Sequence, residues 1–250
     1  MVEKINHSIG QIFHICNRDL DKLLKIKVCM PLNKGRIMEI GIRRGSAEFK
    51  YGISTVEQLT EWLQENQDIR GVSFVGRSNV GKSSTINSLF GKQTARVSKT
   101  PGRTREINIF EFELQGIEHD KPFYLFDLPG YGFAEVSREM SNNWQVLMNS
   151  FFQHISQDVL MLNLQDARHP HQQSDQEFQS YLKNFDFETF LIFNKIDKLK
   201  KQKERAALDK LKPTIFKEYK WVKQIHFVSA EKKTKLEQLE QAIVNYLLAQ

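Results

Sequence analysis

Cysteine is nearly absent from this 250-residue chain, which has only Cys16 and Cys29. They show no CxxC spacing and no nearby histidine cluster, which excludes a disulfide scaffold and the common zinc sites. They read as ordinary thiols of a reducing compartment. Long apolar runs are also absent. None approaches the roughly 18 residues that a membrane-crossing helix needs. The first residues lack the basic, apolar and small-residue succession of a secretory signal. Glu3, Asp19 and Asp21 run against the acid-poor rule of a mitochondrial transit peptide. There is no internal repeat and no low-complexity tract. The expectation from these absences is a cytoplasmic protein.

What is present is an ordinary globular composition, 40% apolar and 26% charged, with a formal net charge of +6. A basic balance favours polyanionic partners and says nothing of fold. The charge is uneven. Residues 1–45 hold nine basic side chains against four acidic ones, and Pro31, Gly35 and Gly41 punctuate them. The expected organisation is a basic N-terminal extension over residues 1–45 and one α/β domain over residues 46–250. Three readings of the extension stay open: an RNA-binding arm, a segment without fixed structure, or a start placed too early, since Met30 and Met38 lie inside it.

Residues 55–64 have helical spacing at Val56, Leu59 and Leu63, with Ser54 or Thr55 as the cap. Beyond Gly71, short apolar runs at residues 72–75, 123–126, 159–164, 190–193 and 225–228 read as strands, and 107–114 alternates as a half-buried strand does. Helical patterns separate most of them, at 83–90, 142–152 and 176–182. This alternation predicts a mainly parallel sheet with helices on both faces. Such sheets bind ligands beyond the carboxyl ends of their strands, and the motifs fall at those ends.

The first motif is Gly76-Arg77-Ser78-Asn79-Val80-Gly81-Lys82-Ser83, which matches G-x-x-x-x-G-K-[ST] between a strand and a helix. Its glycines let backbone N–H groups face a phosphate, Lys82 adds a positive charge, and the Ser83 hydroxyl, followed by Ser84, is a candidate Mg²⁺ ligand. The second is Asp127-Leu128-Pro129-Gly130. There a strand-end carboxylate is suited to hold Mg²⁺ through water, and the Gly130 N–H to sense a γ-phosphate. The third is Asn194-Lys195-Ile196-Asp197. The Asp197 carboxylate would accept two N–H bonds from guanine that adenine cannot offer. Ser229 and Ala230, after a further strand, place a backbone N–H for guanine O6. Between the phosphate loop and the strand at Ile107 runs a polar loop, with Thr100 and Thr104 as candidates for the threonine that joins the Mg²⁺ shell. Thr104 is preferred, after Gly102 and Arg103. The glutamine that Ras-like proteins carry after D-x-x-G is replaced by Tyr131, so slow intrinsic hydrolysis is expected. Asp166 and Pro170 read as the cap and first residue of a following helix, with Arg168 and His169 as surface residues or as contacts to RNA or protein, and the lysine-rich stretch 195–223 as a solvated helix face that could also touch rRNA phosphates.

Four stretches together resemble the EngB family of bacterial ribosome-biogenesis GTPases: G-R-S-N-V-G-K-S-S at 76–84, S-K-T-P-G-R-T at 98–104, D-L-P-G-Y-G at 127–132 and D-A-R-H-P at 166–170. The resemblance runs from about Ser46 to the C-terminus. It implies a Ras-like domain that binds and hydrolyses GTP with Mg²⁺ and works in assembly of the large ribosomal subunit. Precursor particles, rRNA and ribosomal proteins would be its partners, and cell division and septation would feel it through ribosome supply. It also implies Thr104 as the switch threonine and a K⁺ ion held with the help of Asn79. The family usually has Thr-Lys-x-Asp where this chain has Asn194-Lys195-Ile196-Asp197. A competing function is an RNA-binding module whose basic N-terminal segment acts whatever the nucleotide state.

Overall fold

The structure is a computed structural model, and it describes residues 40–91, 93–95, 106–131, 138–155, 158–185 and 187–249. Among these, the chain forms β1 (Gly41–Ile42), β2 (Glu48–Ile53), α1 (Val56–Glu65), β3 (Gly71–Gly76), α2 (Lys82–Phe90), β4 (Ile107–Phe112), β5 (Leu114–Gln115) and β6 (Phe123–Asp127). It continues through α3 (Arg138–His154), β7 (Val159–Asp166), α4 (Gln173–Leu182), β8 (Thr189–Asn194), a 3₁₀ turn (Ile196–Lys198), α5 (Gln202–Glu218), β9 (Val222–Phe227) and α6 (Leu236–Leu248). Seven strands form one sheet in the order β2-β4-β6-β3-β7-β8-β9. β6, β3, β7, β8 and β9 run parallel, and β4 and β2 add an antiparallel edge. The mixed α/β fold with a mainly parallel sheet is therefore the one its residue pattern predicts.

Burial explains the strand compositions. β3 and β8 sit inside the sheet under helices on both faces, and every residue of each is buried. That is why they read as unbroken apolar runs rather than alternating ones. On one face, α2 (Ile86, Leu89, Phe90) and α6 (Leu239, Ile243, Leu247) pack on Val72, Phe74, Leu160, Leu162 and Ile192. On the other, α1, α3 and α4 bring Leu59, Trp62, Phe151 and Phe178 against Val75, Ile109, Phe126 and Met161. Leu208 and Ile215 of α5 complete that face over Leu191 and Phe193. Thr55 caps α1 through a reciprocal capping box with Gln58.

Three features depart from the sequence reading. The run 107–114 breaks at Glu113, and Leu114 turns away to pair with Ile42 in a separate two-stranded ribbon. Residues 41–45, assigned to the extension, pack on the domain. Ile42 is 1% exposed, its N–H donates to Glu240 Oε1 at 3.0 Å, and Arg44 reaches the Leu89 carbonyl at 2.8 Å. Finally, α4 begins at Gln173 with Gln172 as its cap residue, so Asp166 and Pro170 do not start that helix. Residues 1–39 lie outside the described residues.

Candidate nucleotide-binding site

The loop after β3 is fixed by contacts that only small or left-handed residues permit. A Cβ on Gly76 would stand 2.6 Å from the Leu164 carbonyl oxygen, and Asn79 and Gly81 adopt φ of +62° and +96°. Gly81 is the N-cap of α2 and supplies no side-chain cap, so the N–H groups of the first turn point outward, the arrangement that receives an anion. Lys82 stands in this turn, and its ammonium pairs with Asp127 at the end of β6. That meeting follows from topology: β6 lies beside β3 with Asp127 opposite Phe74, and Leu128 N–H extends the ladder to the Phe74 carbonyl at 3.0 Å. Ser78, Ser83 and Ser84 are partly exposed in the same loop and turn, and Gly130 is buried next to Tyr131.

The base-reading loop joins the phosphate loop through one side chain. Asn194, 2% exposed at the end of β8, donates from Nδ2 to the Val80 carbonyl and accepts at Oδ1 from the Ala230 N–H, both at 3.0 Å. Three segments far apart in sequence are thereby clamped together. Lys195 donates to the Asn79 carbonyl and, at 3.0 Å, to Asp166 Oδ2, so its aliphatic stem lies across the loop. Asp197 accepts from the Ser229 hydroxyl at 2.6 Å and pairs with Lys198 at 3.2 Å. Partial burial works against its charge, but these bonds prevail and hold its carboxyl below the ordinary value. Asp166 follows the same logic. Burial would raise it, yet Arg168 at 2.6 and 2.9 Å and Lys195 hold it well below the usual carboxylate range.

The structure thus brings together Gly76, Arg77, Ser78, Asn79, Val80, Gly81, Lys82, Ser83 and Ser84 with Asp127 and Gly130, and with Asn194, Lys195, Asp197, Ser229 and Ala230. Gly102, Arg103 and Thr104 lie outside the described residues. One set of residues escaped the sequence reading. Asp175 of α4, fully buried, accepts from Arg77 Nε at 2.9 Å, from the Tyr131 hydroxyl at 3.0 Å and from the Gln172 N–H at 3.1 Å. Asn163 donates to the Tyr131 oxygen at 3.2 Å, Gln179 donates to Asn163 at 3.0 Å, and Trp221 donates to Gln179 at 3.0 Å. The Tyr131 ring stacks on Phe178 with centroids 4.2 Å apart. Burial first, then the Asp175 charge, push the phenol well above its ordinary value, so it stays protonated and donating. The one signal in the sequence was the polar pair Asn163 and Gln165, flanking Leu164 ahead of Asp166 in the second half of β7.

Comparison with known proteins gives the family. A family model described as 50S ribosome-binding GTPase matches residues 71–195. A probable GTP-binding protein EngB of Mycoplasmopsis synoviae is 34% identical over 196 residues, covering 78% of this chain and 97% of that protein. Among solved structures, that of a probable GTP-binding protein engB aligns at 26% identity with a TM-score of 0.53, over 72% of this chain and 100% of the other. Era of Aquifex aeolicus bound to GDP and AlF4⁻ aligns at 24% identity with a TM-score of 0.56, over 72% of this chain and 57% of Era, which supports the fold. The fold and the loops described above define a P-loop GTPase, an enzyme that binds GTP and hydrolyses it. Within that class, the chain belongs to the EngB family of GTP-binding proteins.

Proposed function

We propose that this GTPase is a nucleotide-driven switch in assembly of the large ribosomal subunit. It docks on precursor particles when GTP orders its loops and leaves after hydrolysis. Growth and septation would then depend on it through ribosome supply, and its place of work would be the cytoplasm. The observation that carries the reading is the clamp at Asn194. It joins the loop that would hold phosphates to the loop whose carboxylate, Asp197, would read guanine. The name of the matching family model supports the large subunit as the place of action.

The donor set fits Mg²⁺, a hard cation that prefers oxygen. The Ser83 hydroxyl would bind it directly and Asp127 through water, with Thr104 as the third contributor from the polar loop. When bound, the ion would neutralise charge developing on the phosphates. Lys82 would hold the β- and γ-phosphates, and the Gly130 N–H would meet the γ-phosphate. The Tyr131 hydroxyl is engaged by Asp175 and Asn163 rather than turned toward a water, which supports a slow intrinsic rate. Asn79 would help hold a K⁺ ion against the phosphates; faster turnover in KCl than in NaCl is the expected result, and equal rates would remove K⁺ from the account.

The test is sedimentation of the purified protein with large-subunit precursor particles in a non-hydrolysable GTP analogue, in GDP and without nucleotide. Co-sedimentation confined to the GTP analogue is expected. Binding that ignores the nucleotide would overturn the switch.

A further inference from the structure

Charge is segregated in this molecule. The segment from residue 198 to residue 235 holds thirteen basic side chains against four acidic ones, a local balance of +9 in a chain whose total is +6. Outside it, residues 1–45 are also basic, and the rest of the chain is net acidic. The segment consists of α5, the edge strand β9 and the loop before α6.

The fold turns this segment into a face. Leu208 and Ile215 hold α5 on the sheet, so its opposite side looks outward. Lys203, Lys210 and Lys217 recur every seven residues, which stacks them in one row along the helix, and all three are exposed. Lys223 is exposed on β9, and Lys232 and Lys233 are exposed in the following loop. The acidic residues of the segment are occupied. Glu204 accepts from the Lys201 N–H at 2.9 Å, Asp209 pairs with Lys212 at 3.1 Å, Glu231 pairs with Lys198 at 2.8 Å, and Glu218 lies 3.9 Å from His171 Nε2. Among the described residues, the six lysines named here have no carboxylate within ion-pair distance.

We propose that this face binds the phosphate backbone of RNA. A row of ammonium groups about 10 Å apart along a 17-residue helix suits a line of phosphates. A membrane surface fits less well. Helices that lie on lipid pair their lysines with large apolar residues, whereas the residues one turn from these lysines are Ala206, Ala207, Pro213 and Thr214, and Phe216 is the one exposed large apolar residue on α5 among the described residues. The face begins at the base-reading loop, since Lys198 pairs with both Asp197 at 3.2 Å and Glu231 at 2.8 Å. The choice of RNA rests on the ribosomal role proposed above.

The experiment measures affinity of the full chain for a large-subunit rRNA transcript across a series of KCl concentrations. It compares the parent with a triple variant, Lys203→Gln, Lys210→Gln and Lys217→Gln, and with a control triple, Arg70→Gln, Lys121→Gln and Lys183→Gln. Binding of a fluorescent GTP analogue monitors folding in all three. Three lost phosphate contacts should reduce the slope of log affinity against log salt by about 2 to 3. Affinity at low salt should fall at least about tenfold, with nucleotide binding and the control triple unchanged. An unchanged slope in the row variant, an equal loss in the control, or loss of binding to anionic lipid vesicles with RNA binding intact would each overturn the proposal. Precursor particles that still respond to GTP with the row variant would spare the switch reading while removing this face from it.

Discussion

Changing Tyr131 to Phe removes a single oxygen from the centre of the polar chain that joins the phosphate loop to α4. The ring remains stacked on Phe178, 4.2 Å away, so packing is conserved. Asp175 loses one of its three donors and keeps Arg77 at 2.9 Å and the Gln172 N–H at 3.1 Å. Asn163 Nδ2 loses its acceptor at 3.2 Å in a place that water does not reach. A hydrogen bond to a charged group contributes about 1.5–3 kcal/mol, and an orphaned buried donor costs about 1–3 kcal/mol. These terms overlap, so a loss of about 3 kcal/mol is expected. For a domain of this size that lowers Tm by roughly 6–12 °C. Thermal unfolding followed by circular dichroism is the assay. Tyr181→Phe serves as control, because its hydroxyl meets Asn149 in an exposed contact and its removal should shift Tm by no more than about 2 °C. A Tyr131→Phe shift no larger than that of the control would refute the reasoning.

Three further outcomes are expected. Gly81→Ala places a Cβ 2.3 Å from Asn194 Nδ2 on a backbone with φ of +96°, so GTP should bind at least about tenfold more weakly by isothermal titration calorimetry; an unchanged Kd would show that the clamp is dispensable. Asp197→Asn removes a charged acceptor, so the preference for GTP over ATP in competition binding should shrink by roughly 10- to 100-fold, and retained selectivity would move base reading elsewhere. His226 is held down to about 4 by burial, beneath the free value of 6.5. The unfolded chain therefore takes up the proton first as pH falls, and the stability owed to neutral His226 is complete above pH 6.5 and lost between 6.5 and 4. After allowance for its partial exposure the loss is about 1–2 kcal/mol, and denaturant titrations of His226→Gln should lack that part of the slope.

The phosphate loop and the parallel strands were legible because their signals are local. β3, with the sequence GVSFVG, is buried on both faces and reads as apolar, and the glycines stand where the backbone requires them. β2 was not legible. It is an edge strand with Phe49 and Tyr51 exposed, so its residues carry no burial pattern to read. The helix α6 carries clear spacing at Leu239, Ile243 and Leu247 but no motif. Asp175 could not have been found in this way. It lies 98 positions from Arg77 and 44 from Tyr131, and only the packing of α4 beside β7 brings the three together. Tyr131 stands where Ras-like proteins carry glutamine, whereas its hydroxyl belongs to that buried chain.

The space that Gly81 leaves empty is filled by the Asn194 amide. The two positions are thus sterically interlocked. A smaller residue at 194 would clear the space for a Cβ at 81 while giving up bonds to Val80 and Ala230, but the φ of +96° would still favour glycine there. Substitutions at these two sites should therefore be non-additive, with the steric part of the cost shared between them and the backbone part confined to residue 81.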